Sequence, residues 1–402
     1  MPMKAVNQHR RTLLKGLGAF GGLSAVSTLG TASLFSAHAS AATSPNSTRS
    51  HRLYIDGLSF LPEDINDVLA SGLDAYLCDI SAIETLTQAD GTLNYKRTYK
   101  ACMESIKQAA KRVSDNSDIL LQGRSGRDIK LAQESQRTAV FFQIQGADCV
   151  EEDSDANQWA RVDEFYDQGL RALQLTHHYG NTFAGGALDN NPQGGLNLPL
   201  TDHGRALIHK LNNRNILVDV SHSSPQTALD VAKISRAPIV QSHGAARGIV
   251  NHARCSPDEV IRAIANSGGV FGVFMMSFWL TNKAVPTIDD YIRQLEYVAK
   301  VGGVDCVAIA NDFPLRGQEN LLALNNDNAQ GVKEYQEWWY SLRAKKVLGF
   351  DAEPRHVVIP ELNHIERMSR IDDALAKARF KATDRDRFMG GNWQRVLNQV
   401  LI

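Results

Sequence analysis

The stretch NILVDVSHSSPQTALDVAKISRAPIVQSH, residues 215–243, decides the fold. Two short runs rich in Val, Ile and Leu (215–222 and 237–243) enclose a helical segment, QTALDVAKI, that Ser224-Pro225 opens. Near-continuous apolar runs of this length, separated by helix, mark parallel strands buried on both faces. Each run also ends in a histidine, His222 in one and His243 in the other.

Working outward, the same strand-then-helix rhythm recurs. The further runs are RLYID (52–56), AYLCDI (75–80), AVFFQIQG (139–146), LRALQLTHH (170–178), GVFGVFMM (269–276) and DCVAIAND (305–312). Helix starts are legible between them. Ser256-Pro257-Asp258-Glu259 predicts a capping serine with proline in the first turn, and Thr287 before IDDYIRQLEYVAK predicts another N-cap. Eight such units fit a closed (β/α)8 TIM-type barrel better than an open doubly wound sheet. No glycine-rich phosphate loop follows the first strand, which argues against dinucleotide binding.

The 402 residues carry a formal net charge of −1 and are 43% hydrophobic. So balanced a charge excludes nucleic-acid or membrane-surface binding by bulk electrostatics. The N-terminus stands apart. Arg10-Arg11 precedes a mildly apolar run rich in Gly, Ala and Leu, which closes on Ala37-His38-Ala39. This predicts a twin-arginine export signal over residues 1–39, recognised by the twin-arginine machinery and cleaved near Ala39. A polar linker (40–50), a mature domain over 51–402 and a periplasmic location follow. The five cysteines show no CxxC spacing and are expected to be buried small hydrophobes.

Polar residues fall at the ends of the predicted strands: Asp56, Gln145, His177, His222, His243 and Asp312. In a barrel those ends converge on one mouth, where active sites are built. Three histidines and a terminal aspartate there predict a functional site.

With these residues in view, the chain from about residue 52 onward resembles the membrane (renal) dipeptidase family of metal-dependent hydrolases. The segments that carry the resemblance are residues 219–264, ALQLTHHYGNTFA, VAIANDFPL and the closing GGNWQRVLNQVL. The resemblance implies a two-zinc site and a set of roles. His222 and His243 match the histidines of one metal, and Asp312 the aspartate that serves as base. His177 matches the histidine that steadies the oxyanion. Arg254, eleven residues after His243, matches the arginine that grips the substrate carboxylate. A small peptide-like substrate and a homodimer are further implications.

The departures are as specific. Where the family reads Asp-Gly-His-x-Asp, this chain reads Asp56-Gly57-Leu58-Ser59-Phe60, and Gln145 stands where a glutamate bridges the ions. Two apolar side chains and a neutral amide cannot replace those anionic and imidazole ligands. The expectation is therefore at most one zinc, on His222 and His243 with Asp312 or Gln145. Two alternatives stay open: a metal-free enzyme of peptide natural-product maturation, and a non-catalytic binder. Of the other candidates, His203 and His209 read as surface residues, and His356 and His364 as structural. His252 reads as a rim candidate, and Trp338-Trp339-Tyr340 as packing or a lid. Which of His177 and His178 faces the pocket is open. Residues 316–355 read as a long loop that sets substrate choice.

Overall fold

The computed structural model describes residues 52–87, 93–151, 158–189, 196–283, 285–317 and, from residue 336 on, all but 338, 342, 345–352 and 354–357. The export signal, the linker, Trp338, His356 and most of 316–355 lie outside the described residues.

Eight parallel strands form the barrel. They are β1 (Ile55–Ser59), β2 (Ala75–Asp79), β6 (Thr138–Gln145), β7 (Leu170–Gln174), β8 (Leu217–Asp219), β9 (Ile239–Gly244), β10 (Phe271–Val273) and β11 (Val307–Ile309), hydrogen-bonded in that order. All eight predicted runs are found. Two features were not anticipated: the antiparallel hairpin of β3 (Glu84–Thr87) with β4 (Leu93–Lys96), and the three-residue strand β5 (Leu120–Gln122). Strand β5 pairs with Thr138–Val140 at the start of β6, and β7 takes the same side from Phe142 onward. The ends of the sheet meet where Asp312 N–H donates to Leu58 O at 2.9 Å and Asn311 N–H donates to the Asp56 carboxylate at 2.8 Å.

Alternation along the strands sorts the side chains. Those turned inward begin apolar (Ile55, Ala75, Ala139, Phe141, Leu217, Val240 and Ala308) and pack against Trp393 of the last helix, Asn392–Val400. Gly57 is required by this packing, because a Cβ there would lie 2.4 Å from the Trp393 ring and 2.6 Å from Ser242 O. Those turned outward, such as Val140, Phe142, Leu173, Val218, Phe271 and Val307, bury against the surrounding helices. Toward the strand ends the inward positions become polar, with Gln143, Gln174, Asp219 and Ser242 all fully or almost fully buried. A dry floor therefore supports a polar mouth.

The helix starts largely follow the sequence. Ser224 accepts from Thr227 N–H at 3.0 Å, with Pro225 in the first turn, and Asp290 accepts from Thr287 N–H at 3.0 Å. Ser256 differs from expectation. The helix begins at Asp258, and the Ser256 hydroxyl donates to Gln241 Oε1 at 2.6 Å instead of capping. All five cysteines are buried and unbridged.

Candidate active site

The mouth is built on residues that leave the strands in strained backbone. His178, His222 and Asp312 have φ of 65°, 61° and 54°, left-handed values that cost a side-chain-bearing residue energy unless its surroundings enforce them. This turn answers the question left open by the Thr-His-His run. Consecutive strand residues face opposite sides, but β7 ends at Gln174, and the left-handed turn at His178 brings both imidazoles to the same pocket.

Four histidines pack there ring against ring. His177 lies stacked on His222 with centroids 4.4 Å apart, His178 sets its edge to both, and His243 lies 4.8 Å beyond His222. His178 Nδ1 is 3.1 Å from His222 Nδ1, and His222 Nε2 is 2.7 Å from His243 Nε2. His243 Nδ1 reaches Ser242 Oγ at 2.8 Å. Ser242 in turn donates to Asp219, which also accepts from Gln143 Nε2 at 2.7 Å and from Ser221 N–H at 2.8 Å. Burial holds all four imidazoles well below the usual histidine range, His178 down to about 3, and the Arg254 guanidinium pushes each further down. They are neutral at physiological pH.

The expected ligands are only partly gathered. His222 and His243 are joined. Gln145 is turned aside, its amide donating to the Asp79 carboxylate at 2.8 Å. Among the described residues no group hydrogen-bonds the Asp312 carboxyl, which burial raises to about 8 against the opposing pull of Arg254. Leu58 is wholly buried in β1. Among the described residues the three potential ligands whose donor atoms all lie within 4.8 Å of one another are His177, His178 and His222.

Arg254 is buried at the mouth, its Nη2 donating to His243 O at 3.3 Å and its Nε without a partner. Its guanidinium lies over Phe274 at 5.1 Å and Trp279 at 5.5 Å, and no carboxylate of the described residues pairs with it. Together with His222, Arg247 and Ser256 it lines a narrow cleft. His252 sits at the rim beside Trp279 and accepts from Arg254 N–H at 3.1 Å.

Several site residues escaped the sequence reading. Asp79 ends β2 and organises Gln145 and Ser81. Arg97, buried with its Nε unpartnered, adds a second positive charge felt by His177 and His178. Asp219, Ser221 and Ser242 hold His243. The inward period of β8 and β9 is the signal that could have found them. Elsewhere, His203 and His209 are exposed, as expected, and His364 accepts from Glu366 N–H in a loop. Trp339 packs edge-on against Phe278 while Tyr340 is exposed.

A (β/α)8 barrel with a histidine-lined mouth at the strand ends defines a class of hydrolase-type barrels, and comparison with known proteins narrows it. The family model for membrane dipeptidases (peptidase family M19) matches residues 63–328, and the chain belongs to that family. An uncharacterized dipeptidase of Schizosaccharomyces pombe is 32% identical over 152 residues, which is 37% of this chain and 36% of that protein. The chain thus aligns with only about a third of that curated relative. Solved structures share the fold over most of their length. An amidohydrolase from Pseudomonas aeruginosa superposes with a TM-score of 0.67 at 24% identity, covering 87% of this chain and 97% of that one. A metallo peptidase from Rhodobacter sphaeroides, liganded with a phosphinate mimic of the dipeptide L-Ala-D-Ala, gives 0.66 at 15% identity, covering 87% and 99%. A probable dipeptidase from Pseudomonas aeruginosa gives 0.66 at 16%, covering 88% and 96%.

Proposed function

We propose that this chain is an exported hydrolase of dipeptides or small modified peptides that works with at most one zinc ion. The observation that carries the reading is Arg254. A buried guanidinium without a carboxylate partner is costly, and it is kept where a ligand supplies the missing charge. Arg254 lies at the mouth, within electrostatic reach of Asp312 and the histidines. The family, and the dipeptide mimic bound by the Rhodobacter sphaeroides relative, suggest that the charge is a peptide's terminal carboxylate.

The residues do not fit a two-ion centre. Leu58 and Phe60 offer no donor atom, and the Gln145 amide is engaged by Asp79. They do fit one ion, since neutral imidazoles around His222 are suitable zinc ligands. When bound, such an ion supplies Lewis-acid polarisation. The protein's own groups do the rest. Arg254 fixes the substrate carboxylate and so orients the scissile bond. Asp312, with its pKa near 8, takes a proton from water and returns it to the leaving amine close to neutral pH. His177, uncharged, donates a hydrogen bond to the developing oxyanion.

A second reading, metal-free acid–base chemistry on a peptide natural product, is favoured by one observation. The imidazoles of His178, His222 and His243 satisfy one another without an ion. Assay of purified protein against free and C-terminally amidated dipeptides, with and without added zinc, tests the proposal. Zinc-dependent cleavage, at least about tenfold more efficient for the free than for the amidated form, is expected. Absence of cleavage of any dipeptide overturns it.

A further inference from the structure

Arg97 is placed by the local structures on either side of it. Strand β4 ends at Lys96, and the helix Tyr99–Asp115 begins with Thr98 as its N-cap, accepting from Ala101 N–H at 3.2 Å. The Arg97 stem then runs over Gly146, the residue that follows β6. A Cβ there would lie 3.0 Å from Arg97 Cδ, so glycine is what lets the side chain pass. Arg97 is 5% exposed, yet among the described residues no hydrogen bond or ion pair holds its guanidinium, and its Nε is sealed off without a partner. The acids on the neighbouring segments are already engaged. Asp148 accepts from Asn181 Nδ2 at 2.9 Å, Glu151 pairs with Lys96 at 2.9 Å, and Asp79 accepts from Gln145 and Ser81. Asp148 feels the Arg97 charge without pairing with it, and burial still holds its carboxyl above the ordinary value.

A buried guanidinium in this state is costly, and Arg254 is in the same state on the other side of the mouth. Arg97 follows β2 through the β3–β4 hairpin, and Arg254 follows β9. In the ring β1-β2-β6-β7-β8-β9-β10-β11 those strands are the second and the sixth, so they stand opposite one another. The histidines lie between them. After burial, the largest effect on His222 and His243 is the charge of Arg254, and on His177 it is the charge of Arg97. The row of imidazoles therefore runs from one cation to the other, with His177 toward the Arg97 end. His177 and His178 are half-buried, so this end of the row is open to a ligand.

We propose that Arg97 is a second carboxylate-binding residue, and that the substrate is a dipeptide whose N-terminal residue is acidic. This rests on the dipeptide reading above. In that reading Arg254 takes the terminal carboxylate, and His177 faces the oxygen of the scissile carbonyl, which belongs to the N-terminal residue. Continuing from Arg254 past His177 leads to Arg97, so the side chain that meets Arg97 is the N-terminal one. Asp or Glu there supplies the missing charge and can accept two parallel hydrogen bonds from the planar guanidinium. A neutral side chain leaves Arg97 unpaired, and the α-ammonium on the same residue adds a like charge. The mouth therefore selects a net-anionic dipeptide over a zwitterionic one.

The test is calorimetric titration of the purified full-length chain with uncleavable ketomethylene isosteres of Glu-Ala and Gln-Ala, each made with L- and with D-alanine. The two probes differ by one charge at nearly constant shape. The Glu form should bind at least about tenfold more tightly, and Arg97→Met should bring the ratio close to unity. Arg97→Lys, which keeps the buried charge but not the planar fork, should keep a smaller preference. Circular dichroism melts show which variants are folded. Equal binding of the two isosteres by the wild type overturns the proposal with no variant needed. A preference that persists in folded Arg97→Met does the same. So does an Arg97-dependent preference for the Ala-Glu isostere over Ala-Gln, which puts the second carboxylate on the other residue. Because the probes are not cleaved, these outcomes are separate from turnover. An Arg97-dependent preference for the Glu form, without cleavage of any dipeptide, sinks the hydrolase reading alone. Cleavage of dipeptides with equal binding of the two isosteres sinks this proposal alone.

Discussion

The Gln145 side-chain amide donates to the Asp79 carboxylate across 2.8 Å, joining the ends of β6 and β2 where a glutamate would otherwise stand between two ions. The neutral amide needs no cation beside it, whereas a glutamate there would place two carboxylates at hydrogen-bond distance. Gln145→Glu alone should therefore bind a proton between them and show a raised apparent carboxyl pKa. Combined with Leu58→His and Phe60→Asp, it should raise metal capacity to two ions per chain. Elemental analysis of the folded triple variant checks this, and a count unchanged from wild type refutes it.

Arg254 supplies the next prediction. A charge-assisted contact is worth roughly 1.5–3 kcal/mol, so Arg254→Ala should raise KM for free dipeptides at least about tenfold. Amidated analogues, which lack the carboxylate, should be processed no worse by the variant than by wild type. Steady-state kinetics on the two substrate forms decide it. Equal losses on both would show that Arg254 does not grip the carboxylate.

Asp56 predicts a pH dependence of stability. Its carboxylate accepts from Leu58 N–H and from Asn311, yet burial dominates and lifts its pKa from 3.8 to about 6. Below the unfolded value both states hold the proton. As pH rises toward 6 the unfolded chain ionises first, so stability falls over that interval and remains lower above it. The loss is on the order of 3 kcal/mol. In Asp56→Asn the new amide can donate to Asn311 Oδ1, which has no partner in the wild type, if that amide flips. Denaturant unfolding at pH 4 and pH 7 should show this fall in the wild type and not in the variant.

Much of this site was legible from alternation and strand ends. The runs ending in His222, His243 and Asp312 are apolar enough to be read as buried strands, and a barrel brings their ends together. Legibility stopped where the chain leaves regular geometry. The backbone sign at His178 sets which way its ring points, and no side-chain pattern encodes it. Asp79 and Ser242 were hidden for another reason. Asp79 is a single polar residue between Cys78 and Ile80, Ser242 is overshadowed by Gln241 and His243 on either side, and only their inward phase within the barrel marks them. Strand β5 has three residues, too few to show a period. Ser256 is no cap because the helix begins at Asp258, one residue later than expected, which puts Pro257 at the cap position and leaves the Ser256 hydroxyl to donate to Gln241.

Export is tested separately. Arg10 and Arg11 precede the weakly apolar run, and changing both to lysine should leave an unprocessed precursor in the cytoplasm. Cell fractionation with N-terminal sequencing reads the outcome. Normal processing near Ala39 in that variant would contradict a twin-arginine route.

The central claim is that this chain holds at most one of the two ions, because Leu58, Phe60 and Gln145 stand where ligands would be needed for the other. Counting zinc per chain by elemental analysis of the native protein, after exhaustive dialysis and without added chelator, tests it most directly. The account predicts one ion or fewer per chain, removed readily when a chelator is then supplied. Two tightly held ions per chain would contradict it.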